Sequence, residues 1–224
     1  MLLVSAARAQ ISGSATAVTD YRFRGVSLSA GDPAAQADVN FDDPRGWYSG
    51  AFVANTRLGA QPRSMVQWLP YGGFTKRLSS GASVDLGAAY SGFTRGNALG
   101  YFEANAGFTT DNVGIRLYYS PDYFRSDART LYAEIDASRA LAGNLRLFAH
   151  AGDLQLLTLP PGDSDATRRQ LDGRAGIAAR WSSVSASISW VSSNRVATVY
   201  PVQTYYGTEH GAKSVWVLEL RWSF

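Results

Sequence analysis

Few side chains of this chain have the chemistry of a catalytic or metal-binding site. The 224 residues include two histidines, His150 and His210, and no cysteine. This excludes a disulfide scaffold, a thiolate metal site and a cysteine nucleophile. A hydrolase would need a histidine beside a nucleophile and a carboxylate, whereas a lone histidine in a strand is more often a hydrogen-bonded filler. We therefore expect no enzyme, no metal site and no cofactor; a hydrolase that uses His150 is the least favoured alternative.

The charged residues follow a regular pattern. Of the 21 basic residues only Lys76 and Lys213 are lysine, and arginine is preferred where a guanidinium pairs with carboxylates in a confined, partly dry space. Charges occupy alternate positions of otherwise apolar segments, as in 171–181. We expect them to line an enclosed polar lumen. The expected lumen set is Arg22, Arg24, Arg116, Arg146, Arg174, Arg180 and Arg221 with Asp20, Asp85, Glu103, Glu134, Asp136, Asp172 and Glu219.

The elements that would position these charges are β-strands. Polar and apolar residues alternate at every second position, and no apolar run approaches the 18 or so residues of a spanning helix. Mean hydropathy is −0.14, as expected for strands with one polar and one apolar face. The pattern predicts an all-β fold in a single domain over 10–224. The predicted strands, about twelve in number, are 10–26, 34–42, 47–59, 64–78, 82–94, 100–110, 113–121, 129–141, 144–154, 171–181, 184–195 and 213–224.

The connections between these strands alternate in length. Tight turns at 44–46, 79–81, 111–112, 142–143 and 182–183 alternate with longer connections near 27–33, 60–63, 95–99, 122–128, 155–170 and 196–212. A soluble sandwich has no reason to sort its loops in this way, whereas outer-membrane barrels have short periplasmic turns and longer outer loops. We predict a transmembrane antiparallel up-and-down β-barrel of about 12 strands in the bacterial outer membrane. The two longest connections are the expected constriction or cap.

Both ends of the chain are consistent with export to that membrane. Residues 1–9 end in Ala7-Arg8-Ala9 and are interpreted as the remnant of a cleaved secretion signal. At the other end an aromatic and apolar face alternates with polar residues up to Phe224. This resembles the terminal strand of outer-membrane barrels. Trp222 and Phe224 are therefore the expected assembly signal for the barrel-assembly machinery.

Several motifs resemble the TorF-like porin family of Gram-negative bacteria. They are Val18-Thr19-Asp20-Tyr21-Arg22-Phe23-Arg24-Gly25-Val26-Ser27, the stretches 31–36 and 46–50, Tyr71-Gly72-Gly73-Phe74 and Asp85-Leu86-Gly87. The resemblance covers the whole chain, and its distinctive motifs lie in the first fifty or so residues. It implies an exported outer-membrane barrel, without implying a particular solute. For a barrel in that membrane we expect lipid and lipopolysaccharide as partners. The stretch 55–58 departs from the acidic ending associated with that strand.

These observations favour a porin-like channel for passive diffusion of small hydrophilic solutes. An arginine excess in the lumen would give a weak preference for anions. The alternative is a closed barrel whose outer loops bind a ligand or partner. The net charge of +3 does not indicate a nucleic-acid partner, because the arginines are spread over the strands and form no basic patch.

Overall fold

The computed structural model describes residues 9–58, 63–94, 99–158, 168–194 and 213–224. Twelve of its strands form one closed antiparallel barrel, which confirms the predicted fold class. The barrel strands are β1 (Gln10–Val18), β4 (Ala34–Asp42), β5 (Trp47–Leu58), β6 (Arg63–Arg77), β7 (Ser83–Phe93), β8 (Tyr101–Thr109), β9 (Val113–Ser120), β10 (Thr130–Ala140), β11 (Leu145–Leu156), β12 (Arg169–Trp181), β13 (Val184–Ser193) and β14 (Ser214–Ser223). In the described part of the chain, no helix is both long and apolar enough to span a membrane.

Each barrel strand pairs with the next one along the chain, and the first strand closes the ring. β1 pairs with β4 on one side and with the last strand, β14, on the other. The short connections that follow β4, β6, β8, β10 and β12 all lie at one end of the barrel, which we call the turn end. The opposite end, where the longer connections lie, is the loop end. In outer-membrane barrels the short turns face the periplasm and the long loops face outward. Residues 1–8, most of the expected signal remnant, lie outside the described residues.

Strand alternation gives the barrel an apolar outer wall. Leu86, Ile135 and Trp216 point outward and are among the large exposed apolar side chains. Some aromatic rings on this wall contact each other; for example, the ring centroids of Trp190 and Trp216 are 5.3 Å apart. A continuous exposed apolar surface is unfavourable in water and is the surface that a lipid bilayer requires. The outer wall therefore fits the outer membrane.

The prediction of one strand over 10–26 is wrong beyond Val18. After β1 the chain turns into the barrel, and two short strands, β2 (Arg22–Phe23) and β3 (Val26–Ser27), pair as a hairpin. We call residues 19–33 the inner hairpin. Its bend needs a left-handed backbone conformation, and Gly25 provides it with φ +77°. There is also no space for a side chain at this position, because a Cβ would lie 2.6 Å from the Cβ of Asp172. Glycine therefore allows the hairpin to approach the barrel wall closely.

The hydrophobic core lies inside the barrel, in the half nearer the loop end. The inner hairpin contributes Leu28, and a short 3-10 turn at Tyr123–Arg125 contributes two rings. The buried cluster comprises Leu28, Leu58, Met65, Phe93, Leu99, Tyr101, Tyr123, Phe124, Ala128, Tyr132, Leu154 and Leu156. This half of the lumen is therefore packed like the interior of a soluble protein, and the open space lies toward the turn end.

Candidate functional site

The site with the most functional chemistry is a cavity of about 850 Å³ inside the barrel, between the inner hairpin and the turn end. The sequence-predicted residues that line it are Arg22, Arg24, Arg116, Arg174, Arg221, Asp20, Asp85, Glu103, Glu134, Asp136, Asp172 and Glu219. Arg146 and Arg180 do not line it. They are exposed near the turn end, where Arg146 donates to Ser138 Oγ and Arg180 to the Ser182 carbonyl.

One buried ion pair fixes the inner hairpin to the opposite wall. Arg24 Nη2 donates to both carboxylate oxygens of Glu103, at 2.8 and 3.0 Å. The two side chains are 4% and 11% exposed. The guanidinium carbon also lies 4.1 Å from the Tyr132 ring centroid, within cation–π range. Gln170 Nε2 donates to the Arg24 carbonyl at 2.7 Å, so side chain and backbone are both held.

The base of the same hairpin is held by a second buried carboxylate. Asp20 accepts a hydrogen bond from Arg22 Nε at 2.7 Å and others from the hydroxyls of Ser27 and Ser29. Tyr21 donates from its hydroxyl to Gln67 Oε1 on the wall, 2.9 Å away. Buried polar groups are tolerated when they are hydrogen-bonded in this way. These hydrogen bonds hold the inner hairpin in a defined position inside the barrel.

Nearer the turn end the charges are paired across an intervening strand, from β9 to β7 and from β12 to β14, or within β14. Arg116 Nη2 lies 3.3 Å from Asp85 Oδ1. Glu219 accepts from Arg174 at 3.4 Å and lies 3.7 Å from Arg221. These side chains are partly exposed to the cavity, where such pairs contribute little to stability. They give the cavity wall charges of both signs.

A third group centres on His150. Its Nδ1 lies 2.8 Å from Asp136 Oδ1, and its Nε2 lies 3.0 Å from Asp172 Oδ1. The Tyr132 hydroxyl is also 3.0 Å from Nε2. Among these described partners there is no serine, threonine or cysteine side chain that could act as a nucleophile. Glu134 lies beside this group: one carboxylate oxygen each of Glu134 and Asp136 and one ring nitrogen of His150 all lie within 4.8 Å of one another.

Sequence reasoning missed two features of this site. It predicts the constriction in 155–170 and 196–212, most of which lies outside the described residues, whereas residues 19–33 occupy the loop-end half of the lumen. It also judged two distant histidines insufficient for a ligand set and did not group His150 with its neighbours. The available signals were the glycines at 25 and 31 and the inward phase of Glu134, Asp136 and His150 on adjacent strands.

Comparisons with known proteins agree with the barrel fold. A family model described as a bacterial protein of unknown function (Gcw_chp) matches residues 4–224. No curated protein matches the sequence. The KdgM porin superposes with a TM-score of 0.59 at 10% identity, covering 95% of this chain and 99% of that one. The NanC porin gives 0.60 at 10% identity, covering 96% and 99%. A KdgM porin in complex with disordered oligogalacturonate gives 0.56 at 10% identity, covering 96% and 98%. The fold is that of outer-membrane porins, which are channels.

Proposed function

The chain belongs to this bacterial family of unknown function, and from its porin fold we propose that it is a channel for passive diffusion of small hydrophilic solutes across the outer membrane. The observation that carries the proposal is the charged cavity enclosed by an apolar barrel wall. Burying so many charges inside a protein is costly unless they are paired or meet water. A water-filled passage would hydrate these charges and so remove that cost. The motif resemblance to the TorF-like porins supports the same proposal.

We place the constriction of this channel at the inner hairpin. It fills the loop-end half of the lumen together with Tyr123 and Phe124, which are fully buried. Solute must therefore pass beside the hairpin or displace it. A 12-stranded barrel is narrower than the 16-stranded porins, so one inserted hairpin is enough to close most of its cross-section.

The rim at the turn end supports a weak preference for anions. Carboxylates outnumber arginines among the residues that line the cavity, although several are paired, as in Arg24–Glu103 and Arg116–Asp85, so a preference for anions has to come from the rim. At the rim, Arg180 and Arg221 lie on either side of Ser185 in the sheet register, and both are exposed. Rings of charge at a pore mouth set ion preference. The preference should be weak because Glu219 lies beside Arg221.

Planar bilayers test the proposal directly. The refolded protein should give discrete conductance steps, and its reversal potential in a salt gradient should indicate a small excess of anion current. In R180Q/R221Q the anion preference should fall or reverse. The matched control is R45Q, because Arg45 lies in a turn and is exposed. A barrel that is folded, as shown by its gel mobility before and after boiling, yet passes no current would refute the porin proposal.

The filled loop-end half also supports a second candidate, a closed barrel whose outer loops bind a ligand or partner. A variant in which residues 21–31 are replaced by a short Gly/Ser linker separates the two functions. If wild type and the shortened variant are both silent, the closed barrel is favoured. Conductance in the shortened variant alone would show that the hairpin closes the lumen of the wild type, which again refutes a passive channel.

We further propose that the chain contacts lipopolysaccharide with its outer wall and is recognised by the barrel-assembly machinery through β14. Trp222 and Phe224 are exposed and lie with ring centroids 5.0 Å apart at the end of this strand. For His150 we propose a role without catalysis, because its hydrogen-bond partners within the described residues are two carboxylates and a phenol.

A further inference from the structure

We propose that Glu134, Asp136 and His150 bind a divalent transition-metal ion, with Zn²⁺ as the representative case, on the wall of the lumen cavity. The sheet register brings these residues together: Asp136 is directly opposite His150, and Glu134 lies two residues away on the same face of β10. Their ligand atoms all lie within 4.8 Å of one another. One imidazole nitrogen with carboxylate oxygens is a donor set that Zn²⁺ accepts.

The orientation of His150 provides an independent indication. Its Nε2 is 3.0 Å from Asp172 Oδ1 and 3.0 Å from the Tyr132 hydroxyl. Asp172 is only 3% exposed, so this contact is fixed. Metal-binding histidines almost always donate the second ring N–H to such a carboxylate, which sets the tautomer and leaves the other nitrogen as the ligand. Here that other nitrogen is Nδ1, which points toward Asp136.

With the ring proton on Nε2, the contact between Nδ1 and Asp136 requires a positive charge. If Nε2–H is directed to Asp172, then Nδ1 and Asp136 Oδ1 are two acceptors only 2.8 Å apart. Either a second proton makes the ring an imidazolium, or a metal ion bridges the two atoms. A tetrahedral ion with bonds of about 2.1 Å needs ligand atoms roughly 3.3 Å apart. Asp136 is 59% exposed, so its side chain can move outward by the small distance required.

The surrounding charges favour a cation at this position. Arg174 is the register partner of His150 on β12, but its guanidinium is directed to Ser189 Oγ and Glu219. Arg24 is engaged with Glu103. Glu134, Asp136 and Asp172 thus place three carboxylates around one histidine, and Glu134 Oε1 also accepts a hydrogen bond from the Tyr118 hydroxyl at 2.9 Å. Because these residues line the cavity, an ion can reach them from the lumen.

Metal titration of the refolded barrel tests the proposal. ZnCl₂ followed by calorimetry should show one ion bound per chain, and CoCl₂ should give the visible absorption of a low-coordinate cobalt site. In H150Q and D136N the affinity should fall at least tenfold. In D172N the metal affinity should fall by about 10–100-fold although Asp172 is not a ligand, because Asp172 orients His150. The D136N exchange is at an exposed side chain, so it tests the site without threatening the fold.

Two controls make the result specific. H210Q removes the other histidine of the chain, and D153N removes a carboxylate that pairs with Arg169 outside the cluster. Both should bind metal like the wild type. Equal affinity of wild type, H150Q and D136N would refute the site and leave the imidazolium as the positive charge. Because the readout is binding and not current, a silent barrel that binds zinc would refute only the porin proposal.

Discussion

Replacing Glu103 by glutamine should release the inner hairpin from the lumen. The exchange leaves the Arg24 guanidinium buried without its counter-charge, because the two side chains are 4% and 11% exposed. Breaking a buried pair by removing one partner costs about 3–5 kcal/mol. The amide of glutamine can still accept one hydrogen bond, and the Tyr132 ring stays 4.1 Å from the guanidinium carbon. The lower end of that range, about 3 kcal/mol, is therefore expected.

Limited digestion with trypsin measures this release without assuming a transport function. Arg22 and Arg24 lie inside the barrel in the inserted state and become cleavable only when the hairpin leaves it. When opening and closing are fast, cleavage follows the population of the open form, so 3 kcal/mol corresponds to roughly a hundredfold faster cleavage. Mass spectrometry of the fragments identifies the cleaved bonds.

Two variants complete the experiment. R24M/E103M replaces both charges by apolar side chains, which is often neutral or stabilising, and should restore protection of the bond after Arg22, the tryptic site that this variant keeps. D153N breaks an exposed pair with Arg169 and should leave cleavage in the hairpin unchanged. If E103Q is cleaved between residues 19 and 33 no faster than wild type, the buried pair does not hold the hairpin and the reasoning fails.

Three further predictions concern the backbone, a turn and the chain end. Gly25→Ala should increase tryptic cleavage of the hairpin far more than Gly81→Ala, because both have positive φ but only the Cβ at 25 meets neighbouring atoms; equal effects would contradict the close packing. Hydrogen bonds from Arg45 lower the pKa of Asp43 to about 2, so the stabilisation from this pair is present above about pH 4 and is lost as the pH falls through 2. The difference in unfolding midpoint between wild type and D43N should then shrink as the pH falls below 4 and vanish only below pH 2, and a constant difference would argue against it. Deleting Phe224 should lower the yield of folded barrel in refolding assays, because its backbone is bonded to β1 across the closing seam; an unchanged yield would count against that role.

The sequence predicts the barrel wall well because the strand period of two is independent of tertiary context. Asp172 and Arg174 alternate with Leu171 on a single strand, and the structure keeps this phase. The tight turns limit the register that each hairpin can adopt. Strand number, order and face assignment follow from these local rules. The bounds shift by a residue or two, as for the strand expected at 113–121 and observed at Val113–Ser120.

The inner hairpin could not be predicted in the same way. Its residues keep the polar–apolar alternation of β1, so the pattern continues to Val26 although the strand ends at Val18. What bends the chain inward is a set of distant partners, above all Glu103 for Arg24, which is 79 positions away. The His150 cluster is hidden for a similar reason. Asp136 and Asp172 lie 14 and 22 positions from His150, and only the register makes them neighbours.

In the proposed channel the two halves of the lumen would have separate roles, because they are held by different interactions. At the loop end, apolar packing and the Arg24–Glu103 pair hold the inner hairpin in place. At the turn end, exposed pairs such as Arg221–Glu219 line the open cavity and contribute little to stability. A change at the rim should therefore alter which ions pass without altering whether the hairpin is inserted. A change at Glu103 should alter whether the hairpin is inserted without altering ion preference, because it breaks the buried pair that holds the hairpin. Opening and selectivity in this barrel are thus expected to be separable by mutation.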